Sequence, residues 1–171
     1  MPIIKVDTVD AYVFRRLHGK VQFLLIQRRP DVPLGGSWVG FHTTIESGER
    51  AVAAAKRAIR TVTALEPDQA FSADFVNHFY NHTTDEIVFS PVFAFTVPRV
   101  SSVSLSEDFA EFAWLDRDEA TSRLAFSGQR WAVRHIEEII GLGGIEAELY
   151  RIGDGMVDPQ VKTDKIRLRP L

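Results

Sequence analysis

The chain has 171 residues, no cysteine, 45% apolar and 25% charged residues, and a formal net charge of −3. That is the composition of one globular domain long enough to bury a core. It excludes disulfides, thiolate metal sites and a cysteine nucleophile, and its weak net charge gives no reason to expect nucleic acid or an anionic membrane as partner. No apolar run approaches the ~20 residues that cross a bilayer. The first residues lack a basic start leading into an apolar stretch, so no signal peptide is expected and the expected compartment is the cytoplasm.

In chain order, Thr8 to Phe14 and Val21 to Ile26 are β-prone runs separated by a turn over Arg15 to Lys20, which predicts a hairpin. Pro30 to Ser37, with Gly35 and Gly36, is a loop. It lacks the strand-before, helix-after setting of a dinucleotide fingerprint. Trp38 to Ile45 predicts one short strand. Ser47, Gly48 and Glu49 open a helix whose stripe is Val52, Ala55, Ile59, Val62 and Leu65, and Pro67 ends it. Strands are predicted at Phe75 to Tyr80 and Glu86 to Val97, joined by a polar turn over Asn81 to Asp85, and again at Phe112 to Leu115. Asp116 caps a helix to Leu124. Ser127 to Ile140 is an amphipathic helix with Trp131, Ile136, Ile139 and Ile140 as its buried residues, broken by Gly141, Gly143 and Gly144. The pattern is an α/β domain over residues 1–144, with a mixed central sheet between helices. Residues 145–171 form a β-rich extension with alternating runs at Glu148 to Ile152 and Lys165 to Leu168. That arm is expected to be a hairpin against a sheet edge, a dimer arm, or a partly ordered tail.

The segment from Trp38 to Leu65 resembles the Nudix box, G-x5-E-x7-R-E-U-x-E-E-x-G-U, where U is a bulky aliphatic. Glu49 matches its first glutamate, Arg57 its arginine, and Ile59 and Leu65 its aliphatic positions. Gln27-Arg28-Arg29, Trp38, and Phe112 to Asp116 followed by Glu119 resemble the dATP and dihydroneopterin triphosphate pyrophosphohydrolase branch. The resemblance covers roughly Val6 to Ile140 and implies an α/β/α sandwich that hydrolyses a nucleoside triphosphate or related diphosphate with Mg²⁺ or Mn²⁺. The departures are specific. Thr43 and Ala64 stand at the two glycine positions, Ala58 at the glutamate after the arginine, and Thr61 and Val62 at the glutamate pair. Three carboxylates at helical spacings of three and four share one face and can aim at one hard ion. Alanine and valine offer no oxygen, and threonine offers only a neutral one.

The resemblance implies that Glu49 and Arg57 orient the catalytic loop and helix; the plainer reading is an ion pair that supports the fold. A rebuilt metal site would draw on Glu49, Glu46, Asp108 and Glu111, with Glu86 the other acid in reach. Arg28, Arg29 and Trp38 lie beside the family's substrate cleft, where an indole can stack on a base and a guanidinium can meet phosphate. Lys56, Arg57 and Arg60 could hold phosphates without a metal, or form a solvated face. His42 is a candidate general base; His78 and His82 read as surface residues of a strand and turn. Two functions follow. One is a Nudix-type pyrophosphohydrolase with a rebuilt site. The other is a non-catalytic module that binds a nucleotide or other phosphorylated small molecule and needs no metal; a third, purely structural reading has the fold persist and the tail mediate a homodimer.

Overall fold

The computed structural model describes residues 1–98 and 101–153. Its strands are β1 (Ile3–Lys5), β2 (Thr8–Leu17), β3 (Lys20–Arg28), β4 (Trp38–Val39), β5 (Phe41–Thr44), β6 (Ala70–Asn81), β7 (Glu86–Thr96), β8 (Phe109–Leu115) and β9 (Arg151–Ile152). The helices are α1 (Ala51–Thr63), α2 (Arg117–Arg123) and α3 (Ser127–Ile136), the last continuing into a π-helical turn over Glu137–Gly141. All nine described strands form one mixed sheet in the path β4-β3-β2-β7-β6-β9, with β1 beside β7, β5 beside β2 and β8 beside β3. The β2–β7 and β1–β7 pairs are parallel.

β2 is the centre of the sheet, and its pattern explains why. Val9 to Phe14 are all buried, the signature of a strand covered on both faces. Val9, Ala11 and Val13 face a core made with Leu24, Ile26, Ala55, Ile59 and Phe95, closed by α1. Tyr12 and Phe14 face the opposite core, with Phe23, Phe71, Val133, Ile136 and Ile140, closed by α3 and its π turn. The result is a helix–sheet–helix sandwich.

The predicted hairpin is present but tighter. His18 and Gly19 alone make the turn, both at positive φ (50° and 76°), so the strands run further than their apolar residues. The single strand predicted for Trp38 to Ile45 is two, β4 and β5. They part at Gly40, where a Cβ would lie 2.7 Å from the Tyr12 ring. β6 and β8 each begin several residues earlier than predicted, at Ala70 and Phe109; in β6 the added residues Ala70, Phe71 and Ala73 are buried in the core. α1 begins after Arg50 and buries Ala54, Ala55, Ala58, Ile59 and Thr63, with Val52 and Val62 only half covered. It ends at Ala64, held in the left-handed region at φ 56°, with its N–H donating to the Arg60 carbonyl. Asp116 caps α2 in a reciprocal capping box with Glu119.

One expectation is corrected outright. Trp131 is not a core residue; it is 62% exposed. The buried stripe is Ala132, Val133, Ile136 and Ile140, and Trp131 stands on the opposite side of that helix. At the chain's far end, a short 3-10 turn over Ile145–Tyr150 leads into β9, which pairs with Ala70 and Phe71 of β6 at the sheet edge. The expected run from Lys165 to Leu168 lies outside the described residues.

Candidate functional site

The segment that leads into α1 is organised by one ion pair. The Arg57 Nε and Nη2 donate to Glu49 Oε1 and Oε2 at 2.9 and 2.8 Å, a bidentate fork. Arg57 Nη2 also donates to the Thr44 carbonyl at 2.9 Å, and the Glu46 N–H donates to Glu49 at 3.0 Å. Glu46 itself lies 3.5 Å from Arg57. The Arg57 hydrogen bonds, helped by the Glu46 N–H, pull the Glu49 carboxyl down to about 2 from an ordinary value of 4.5. A depressed carboxyl contributes stability above its unfolded pKa and loses it as pH falls through the folded one. The stability difference between the protein and Glu49→Gln should therefore be full at neutral pH and shrink between pH 4.5 and about 2. Urea unfolding across that window measures it; a pH-independent difference would mean the pair adds no charge-dependent stability.

The other arginines are also engaged. Arg60 makes a two-point pair with Glu66. Arg29 is paired with Asp31 at 2.9 Å. Arg28 donates to the Pro33 carbonyl at 2.6 Å and lies over the Phe109 ring. Trp38 packs on the core near α2, with the Arg123 guanidinium 4.8 Å above its ring. Asp108 meets Arg29 through its main chain, Glu111 stands on β8 opposite Gln27, and Glu86 pairs with Lys5. Among the described residues no three acids or histidines converge in a group that could hold a metal ion. The donor set around α1 therefore does not fit Mg²⁺ or Mn²⁺, which want several oxygens around one point.

Beside α1 lies a cleft of about 520 Å³. Ala58 and Val62 of α1, Phe41 of β5, Phe79 of β6 and Phe109 of β8 give it largely apolar walls, and Arg28 stands at its border. Its polar part is built from separate elements. Asp10 on β2 is 6% exposed, yet it sits within an otherwise apolar run. Its Oδ1 lies 2.6 Å from His42 Nδ1, and Asn77 Nδ2 donates to its Oδ2 at 2.8 Å. Asp10 and His42 are direct register partners in the β2–β5 ladder, so both side chains leave the same face of the sheet. Asn77 comes from β6, and its Oδ1 lies against Gly128 of α3, where a Cβ would approach to 2.1 Å. Ser127, Gly128 and Gln129 complete the lining.

No protein-family model matches the chain, and no curated protein does. Solved structures do. A NUDIX hydrolase from Listeria monocytogenes superposes with a TM-score of 0.66 at 20% identity, over 81% of this chain and 93% of its own. The Escherichia coli dihydroneopterin triphosphate pyrophosphohydrolase gives 0.63 at 16% identity, over 77% and 95%. The chain has the Nudix fold. A third Nudix structure, the NUDIX domain of Shewanella oneidensis NrtR complexed with ADP ribose, gives 0.62 at 17% identity, over 81% and 88%.

Within this Nudix fold the structure brings Glu49, Arg57 and Glu46 together. It leaves Asp108 and Glu111 on the β8 side and places Trp38 in the core packing rather than in the cleft lining. His78 does border the cleft, stacked on Phe89, while His82 is an exposed turn residue. Sequence reading singled out His42 but neither Asp10 nor Asn77. The one available signal was an aspartate inside a fully apolar central strand, which demands a buried partner.

Proposed function

We propose that this chain uses the Nudix cleft as a small-molecule binding site and does not carry out the metal-dependent pyrophosphohydrolysis that its fold suggests. The observation that carries this reading is the α1 wall of the cleft: Ala58 and Val62 line it where the box pattern has glutamates, and both Glu49 oxygens accept from Arg57. A metal-activated water needs carboxylate ligands that this wall does not supply. A nucleotide is the ligand class to test first, since a Nudix neighbour of the same fold is complexed with ADP ribose. Its ring system would lie among Phe41, Phe79 and Phe109, and its phosphates at the cleft mouth by Arg28. The arginines of α1 are already neutralised by Glu49 and Glu66 and are poor candidates for phosphate seats.

Isothermal titration of Mg²⁺ and Mn²⁺, with and without a non-hydrolysable nucleoside triphosphate and ADP ribose, tests the reading. Nucleotide binding that survives EDTA, with no heat from the metals alone, is the expected result. Divalent binding abolished by Glu49→Gln, together with phosphate release from nucleoside triphosphates, would overturn it in favour of a rebuilt hydrolase.

A further inference from the structure

A buried carboxylate that orients a half-exposed imidazole at the edge of an apolar cleft is a known arrangement for proton transfer, and it stands here independently of α1. Ionised Asp10 can only accept, so the 2.6 Å contact requires a hydrogen on His42 Nδ1. In the neutral ring that leaves the lone pair on Nε2, the nitrogen away from Asp10. His42 is 49% exposed at its side chain and borders the cleft, so a substrate or a water can reach it. Asn77 holds the second Asp10 oxygen, which fixes the carboxylate and hence the ring. On the far side of Asn77, α3 starts without a side-chain cap, which leaves its first main-chain N–H groups without a helical acceptor, and its first residues, Ser127, Gly128 and Gln129, line the same cleft. Such groups can stabilise a developing oxyanion.

We propose that the cleft is a metal-independent hydrolytic site for uncharged carboxylic esters, with His42 as general base and Asp10 as the residue that positions it. The chemistry balances without any other reactant. A water oxygen bonds to the ester carbonyl carbon as its proton passes to His42 Nε2, and the carbonyl π pair moves to oxygen. The tetrahedral adduct then collapses, the bond to the alcohol oxygen breaks, and that oxygen takes the proton from His42, releasing acid and alcohol. An uncharged acyl group fits better than a phosphate at this point, because the polar part of the cleft already holds the Asp10 carboxylate and the walls are apolar. The other titratable or charged groups bordering the cleft are Arg28 on β3 and His78 and Tyr80 on β6. This inference rests on the reading that the cleft is the ligand site, and does not require the ligand to be a nucleotide.

The test uses p-nitrophenyl acetate as probe, in EDTA, with the full chain. The expected rate exceeds the buffer rate and does not change when Mg²⁺ replaces EDTA. His42→Ala and His42→Gln should each lower kcat by about 100-fold. Asp10→Asn should lower kcat with KM unchanged, and His82→Ala should change neither. Nitrogen NMR of the His42 ring should find the Nδ1–H form in the native chain and a mixture of forms in Asp10→Asn, a signature that loss of packing alone would not give. Equal rates for the native chain and both His42 variants, hydrolysis no faster than buffer, or a neutral His42 protonated on Nε2 would each overturn the proposal. Nucleotide calorimetry reads the binding function separately, so either idea can fail while the other stands.

Discussion

A chain carrying Ala58→Glu, Thr61→Glu and Val62→Glu together should bind Mn²⁺ at least about tenfold more tightly than the native protein, the scale on which added carboxylates change divalent affinity. Positions 58, 61 and 62 are three and four residues apart on α1, so the new carboxylates share a face. Two of them replace side chains that already line the cleft. The cost falls on stability without metal. Ala58 is 7% exposed, and a carboxylate there loses solvation, which destabilises by roughly 1–3 kcal/mol. Mn²⁺ should return that loss by mass action, so the unfolding midpoint of the variant should rise with Mn²⁺ while that of the native chain stays put. Calorimetric titration with urea unfolding at several Mn²⁺ concentrations measures both effects. No gain in affinity would mean that the cleft geometry, and not only its chemistry, is unsuited to holding the ion.

Phe14→Ala should destabilise the fold by about 3–5 kcal/mol, the usual cost of removing a buried ring whose space cannot collapse. Phe14 is fully buried on the central strand, with the Phe23 and Phe71 rings at 6.4 and 6.2 Å. These neighbours come from β3 and β6, on either side of β2, and are held by ladders on both flanks, so they have little freedom to move inward. Urea unfolding followed by far-UV dichroism would read the change. A loss below ~1 kcal/mol would show that the core beneath α3 can repack, contrary to its continuous aromatic contacts.

The fold was open to sequence reading where its signals are local. The stripe from Val52 to Leu65 placed α1, His18-Gly19 lay inside the predicted turn, and Asp116 with Glu119 marked the start of α2. The sequence was less informative where tertiary packing decides. Nothing near Gly40 says that the Tyr12 ring will press against it and divide a strand. Trp131 was misplaced because its size outweighed its phase, although a stripe through Ala132, Val133, Ile136 and Ile140 satisfies the helical period without it. β1, three residues long and mostly exposed, carries too little pattern to be read at all. The site divides in the same way. Glu49 and Arg57 sit within one short motif, and the structure joins them. His42 and Asn77 lie 32 and 67 residues along the chain from the Asp10 carboxylate they share, and only the register of β5 and the reach of β6 bring them together.

Ala64 separates two kinds of change that a single motif comparison runs together. It stands where the box has glycine and adopts the left-handed conformation that glycine would adopt, at a cost of roughly 1–2 kcal/mol for a residue with a Cβ. The backbone follows the path a glycine would take there, and the difference is a cost in stability. Glutamates added to α1 would sit on a helix already strained at its end. Any attempt to build a metal site on this scaffold should therefore start at a residue outside the cleft lining. Ala64→Gly would supply the tolerance, and the carboxylates could then be added to a helix able to bear them.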